Sequence, residues 1–197
     1  MNRLILSHIA LVIANTIYAI NYIIAKDVML IYVEPKAFIF IRIIGASIVF
    51  FTIHFFVIKE KLDPKDFQYL CLCALFGIVV NMLCFFEGLN LTTPINASLI
   101  MISTPLIVYV MSVVFLKEVN DSKALLGVVF GLLGASLLIT NGNFNFNPNS
   151  LGDLLVFLNA TSYAVYLILI KSMMKKYHPI TVLKTLFLIG SVIILPI

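Results

Sequence analysis

Asn15, Tyr18 and Tyr22 stand at i, i+3 and i+7 in an otherwise apolar run, the spacing that places three side chains on one face of an α-helix. Asn159, Ser162 and Tyr166 repeat that spacing far along the chain, with Tyr163 adjacent. Ser98, Met101, Pro105 and Tyr109 form a third stripe, and Asn81 is the polar outlier of another run. These are hydrogen-bonding groups rather than acids or nucleophiles. Two roles suit them: lining a pathway for a polar solute, or joining helices by interhelical hydrogen bonds worth about a kcal/mol each. No Ser-His-Asp set, no pair of carboxylates within an apolar run and no phosphate-cradling loop is present, so neither an enzyme nor an ATP-driven pump is expected. No cofactor and no metal are expected either. Cys71, Cys73 and Cys84 share one run, where Cys71 and Cys73 point apart, and His8, His54 and His178 lie on other segments.

The charged candidates are few. Arg42 is the deepest basic residue of its run, and Glu87 lies near the end of the next, at the level of Lys26. A lone charge at that depth costs a few kcal/mol unless paired or snorkelled, so Arg42 is expected to pair with Glu87, as a gate or anion contact or as a static tie. Pro105 sits in mid-run and must remove one backbone hydrogen bond, by a packing kink or by a break that offers carbonyls to a solute. Gly127, Gly131 and Gly134 fit small-residue helix packing.

The elements that would carry these residues are seven long apolar runs. With 62% hydrophobic and 11% charged residues and a mean hydropathy of +1.12, a soluble domain of 197 residues could not bury so much apolar surface. A span needs about 20 apolar residues in a helix, because only a helix satisfies its own backbone inside lipid. Expected spans cover 4–25, 36–58, 67–87, 95–116, 124–140 and 151–170, with a seventh starting near 181. Pro35, Pro64 and Pro94 mark first turns, and Asp63 and Asp121 or Ser122 are N-cap candidates. Alternate connections carry Arg3, Lys59, Lys61, Lys65, Lys117, Lys123, Lys171, Lys175 and Lys176 on one side, against Lys26 and Lys36 on the other. That asymmetry predicts a cytoplasmic N-terminus in a plasma (inner) membrane. It also accounts for the net charge of +4 without nucleic acid as a partner.

The first and sixth runs echo each other. Tyr18-Ala19, Lys26 and Pro35 answer to Tyr163-Ala164, Lys171 and Pro179, and a rival register pairs Asn15 with Asn159 and Tyr22 with Tyr166. Five spans separate the two copies, so the second must enter the membrane from the opposite side, as in inverted-topology repeats. The expected division is 1–140 as a first five-helix repeat, 141–150 as an outer loop and 151–197 as the start of a second copy, left incomplete.

Four passages resemble the EamA-type drug/metabolite transporters. They are Glu87–Glu118 with its small-residue loop, internal proline and closing glutamate; Pro35 followed by Arg42; Gly127-Val128-Val129-Phe130-Gly131-Leu132-Leu133-Gly134; and Gly152-Asp153 followed by Ser162-Tyr163-Ala164. The resemblance implies an all-α integral membrane protein of two inverted five-helix repeats, ten helices in all, and a secondary transporter, commonly an exporter, of small organic metabolites by alternating access. The chain departs from that pattern by stopping in its seventh span, so it reads as truncated. The alternative is a non-transporting remnant, or a helical scaffold that needs a second polypeptide. Expected partners are the lipid bilayer, a small-molecule substrate, and either a homo-oligomeric copy or the missing C-terminal helices. Helices six and seven are expected to expose the face of Asn159, Ser162 and Tyr166 for want of those partners.

Overall fold

The computed structural model describes residues 3–117, 121–140 and 150–195, and no strand occurs among them. Seven helices follow one another: α1 (Arg3–Ile31), α2 (Pro35–Ile58), α3 (Pro64–Leu91), α4 (Pro94–Leu116), α5 (Ser122–Thr140), α6 (Ser150–Lys176) and α7 (Pro179–Ile194). The protein is an all-α membrane protein. Among the described residues α1, α2, α3, α4 and α6 are long and apolar enough to cross a bilayer. The 16 residues of α7 reach about 24 Å at 1.5 Å per residue, short of the roughly 30 Å hydrocarbon layer.

Local chemistry sets the helix starts. Pro35, Pro64 and Pro94 each occupy a first turn, where the missing N–H is no loss. Asp63 accepts from the Lys65 N–H at 3.0 Å, Thr93 from the Asn96 N–H at 3.1 Å, and Asp121 from the Lys123 N–H at 2.9 Å. These side chains satisfy N–H groups that a first turn leaves without a helical partner. At the other ends, α2 and α4 are each closed by a lysine in the left-handed region, Lys59 (φ 53°) and Lys117 (φ 52°). Glu118 and residues 141–149, the closing glutamate of the motif and most of the expected outer loop, lie outside the described residues.

The core is built on α3. It packs against α6 over most of its length, and against α1, α2, α4 and α7; α7 also lies along α2, and α4 along α6. A third of the most apolar stretch of α3 and of α6 is buried (33% each), against 6% for α1 and for α4. The expectation that α6 and α7 expose their polar face is therefore overturned. Asn159 is 2% and Ser162 4% exposed, and Val182 and Leu186 of α7 are fully buried.

Two features of α3 make this docking close. Its middle, Leu75–Val80, forms a π turn, which displaces the regular i→i−4 ladder. Donors from α6 reach carbonyls in and just after it: Ser162 Oγ donates to Phe76 O and Asn159 Nδ2 to Asn81 O, both at 2.7 Å. Inside a membrane such carbonyls have no water to turn to. Glycines then bring the backbones together. A Cβ at Gly77 would fall 2.4 Å from the Tyr166 ring, one at Gly190 2.6 Å from Ile78, and one at Gly152 2.9 Å from the Leu91 and Thr92 backbone. At Gly127, Gly131 and Gly134 an added Cβ meets nothing within 4 Å. That face of α5 is open, and α5 packs on α4.

Side-chain ties place the connections at two ends. At one, Asp66 accepts from Lys176 and from the Tyr177 hydroxyl, both at 2.5 Å, and Glu60 accepts from the His178 N–H at 3.0 Å. At the other, the Lys26 ammonium donates to the carbonyls of Leu89 (2.8 Å), Asn90 (3.2 Å) and Thr92, and Thr92 Oγ1 donates to Asp153 Oδ1 at 2.5 Å. The C-terminal part of α1 and the first turn of α6 are thus tied to the same α3–α4 connection, and the two helices run antiparallel.

Candidate functional site

Between α1, α2, α3, α4 and α6 lies a cavity of about 720 Å³, touched by Val128 of α5. That is within the usual size of small-molecule sites, about 300–1,000 Å³. Asn15, Tyr18, Tyr22, Arg42, Asn81, Pro105, Asn159 and Tyr163 line it. Ser98 lines an adjoining cavity between α1 and α4, which shares Asn15, Tyr18 and Tyr22. Ser162 and Tyr166 face α3 instead: Ser162 bonds Phe76 O, and Tyr166 stacks on Tyr163 (5.9 Å, 28°) and covers Gly77. Glu87 is not among the lining residues.

The expected pair of Arg42 with Glu87 does not form. The Arg42 guanidinium donates to Asn21 Oδ1 at 2.7 Å and lies over the rings of Phe86 and Phe38, 5.2 and 5.5 Å from their centroids. The physical reason is helical phase. Glu87 follows Phe86 by one residue and so projects about 100° away around α3. A neutral oxygen and two aromatic faces, rather than an acid, hold the cation. Cation–π contacts of this kind contribute about 0.5–2 kcal/mol each.

The rest of the lining is neutral. Phe85 packs edge-on against Tyr22 (5.2 Å) and Phe86 (5.0 Å), fixing an aromatic wall from α1 and α3. Opposite it α4 is interrupted at Ser103, between Pro94–Ile102 and Thr104–Leu116. Pro105 has no N–H for the Met101 carbonyl one turn back. Ser103 Oγ donates to Ile100 O at 2.6 Å, beside the Ser103 N–H that reaches the same carbonyl at 3.0 Å. Met101, Thr104 and Pro105 of this break all border the cavity. Asn159 joins both roles weighed for it: its Nδ2 bonds α3, and it lines the cavity with Oδ1 lacking a partner among the described residues.

Several lining residues escaped sequence reasoning. Asn21 is the clearest. It lies one residue before Tyr22 on a helix already marked as polar, and that proximity was the available signal. Phe85, Phe86 and Met82 carry no sequence signal, because apolar residues in an apolar helix look alike whether they face a cavity or lipid.

Comparison with known proteins follows this geometry. Residues 5–140 match the model of the EamA-like transporter family. The chain belongs to that family. The Uncharacterized transporter YyaM of Bacillus subtilis (strain 168) is 31% identical over 137 residues, which is 68% of this chain and 45% of the relative. An uncharacterized transporter of Methanothermobacter thermautotrophicus is 31% identical over 121 residues, 60% of this chain and 35% of the relative. One from Archaeoglobus fulgidus is 25% identical over 193 residues, 96% of this chain and 66% of the relative. The chain spans about half the length of the curated relatives it matches. No solved structure matches it. The stretch matching the EamA-like model supplies the α1–α5 wall of the cavity, whereas Asn159, Tyr163 and Leu167 of α6 lie beyond it.

Proposed function

We propose that this EamA-like chain contributes to a secondary transporter that moves a small organic metabolite, outward from the cell, by alternating access. The observation that carries the reading is the cavity. It has the volume of a small-molecule site and gathers polar side chains from α1, α2, α3, α4 and α6 in a protein built for a bilayer. Intramembrane polar groups are costly unless they face a cavity or a partner helix. The break in α4 beside the cavity supports the same reading, since interrupted helices are common at transporter binding sites. The antiparallel run of α1 and α6 supports an inverted repeat divided at 141–150. Reconstituted protein is expected to move one member of a metabolite panel, and Tyr163→Ala and Asn15→Leu are each expected to slow that flux at least tenfold. Flux unaffected by both substitutions sinks the assignment of the cavity as the pathway.

The basic asymmetry supports a plasma-membrane protein with its N-terminus in the cytoplasm. With Cys71, Cys73 and Cys84 replaced by alanine, Lys61→Cys is expected to react with a membrane-impermeant maleimide only from the cytoplasmic side. Tyr32→Cys, in the turn between α1 and α2, is expected to react only from outside. The reverse pattern inverts the orientation.

One observation favours a second reading, a helical scaffold that acts with another polypeptide: the glycine face of α5 and most of α1 and α4 are open. Flux by the reconstituted chain without any partner decides against it.

A further inference from the structure

Among the described residues that line the main cavity, Arg42 alone is charged. It enters seven residues after Pro35, the first residue of α2, or about 10 Å along the helix axis at 1.5 Å per residue. A permanent cation at such a depth normally has an anion or a water-filled space beside it. No carboxylate lies within ion-pairing distance of it among the described residues, and the Lys176–Asp66 pair lies at the other end of the molecule. A guanidinium has five N–H donors, and among the described residues one Nη1 bond, to neutral Asn21 Oδ1, is supplied to it. Phe86 and Phe38 hold the group in place. A planar donor fork fixed in this way suits a carboxylate or similar oxyanion better than a point charge would. Around it the wall is apolar and aromatic, with Met82, Phe85, Met101 and Val108.

The geometry points to a small organic monoanion with an apolar body as the occupant of this cavity, its anionic group bound by Arg42. The inference rests on reading the cavity as a solute site and adds the charge class of the solute. The same chemistry could come from an anionic lipid headgroup. We assign it to a free solute, because the cavity holds a body of small-molecule size beside the cation.

Three matched probes test this: phenylacetate, neutral phenylacetamide and cationic 2-phenylethylamine, each radiolabelled. Retention is measured by equilibrium dialysis against the protein in phosphatidylcholine nanodiscs. Phenylacetate is expected to be held at least tenfold more tightly than the amide, and the amine least. Arg42→Gln is expected to erase the difference between acid and amide, chiefly by weakening retention of the acid. Arg42→Lys keeps the charge but not the fork, and is expected to keep part of the difference. Should Arg42→Gln unfold, the wild-type acid-to-amide ratio and the Arg42→Lys variant decide. Equal retention of acid and amide by the wild-type protein overturns the anion assignment and leaves the cavity as a solute site. Retention of none of the three overturns both. In nanodiscs containing phosphatidylglycerol, unchanged phenylacetate retention supports a free solute, and its loss overturns that assignment in favour of lipid.

Discussion

Gly152→Ala is expected to lower the thermal unfolding midpoint of the protein in detergent, by a loss of about 1–3 kcal/mol, the usual range for overpacking a tight contact. The added methyl would sit 2.9 Å from both the Leu91 carbonyl carbon and the Thr92 nitrogen. Those are backbone atoms at the turn between α3 and α4, so they cannot swing aside as a side chain can. The methyl would push the first turn of α6 away from α3 and strain the Thr92–Asp153 hydrogen bond beside it. Gly127→Ala is the matched control. Its methyl meets nothing within 4 Å, and alanine gains up to about 1 kcal/mol of helix propensity over glycine. Its midpoint should hold or rise. Equal losses at both positions would mean that helix contact does not distinguish these glycines.

Lys26→Met is the second large effect. Helix α3 ends with carbonyls that no helical N–H can reach, and one ammonium serves Leu89, Asn90 and Thr92 together. Methionine keeps the bulk and removes all three donors. Leaving buried acceptors without a partner costs about 1–3 kcal/mol in total where some water still reaches them. The consequence should be local as well as global. α1 has little buried surface of its own, so Lys26 is a main fastening of α1 to the bundle. Hydrogen exchange is expected to quicken at residues 89–92 and along the second half of α1, while α7 keeps its protection. Uniform exchange changes along the whole chain would instead indicate general destabilisation without a local tie.

The sequence disclosed what depends on near neighbours. Seven apolar runs, three first-turn prolines and the Asp63 and Asp121 caps are local facts, and the structure carries each of them. What it withheld depends on helix rotation and on neutral partners. Arg42 invited an acid, and Glu87 was in range by depth, but a quarter turn of α3 puts Phe86 in its place. Asn21, a neutral residue, closes the contact. The glycines show the same limit. Gly127, Gly131 and Gly134 form a recognisable pattern on an open face, while Gly77, Gly152 and Gly190, which follow no motif, make the close approaches. The exposure expected of α6 failed for a related reason. A π turn leaves no mark in composition, so the demand of α3 for donors from α6 could not be read from either helix alone.

That demand has a consequence in time. The donor on Ser162 and its acceptor on Phe76 are 86 residues apart in the chain. A ribosome adds about 5–20 residues per second, so α3 precedes its partner by roughly 4–17 s. During that interval α3 has left the exit tunnel with the hydrogen bonds that Phe76 O and Asn81 O accept from α6 not yet made. Headgroups, water or the insertion machinery must accept this helix provisionally until α6 arrives. Slower elongation between codons 82 and 162 lengthens the wait, so the yield of folded protein is expected to respond to translation speed over one defined stretch of the message.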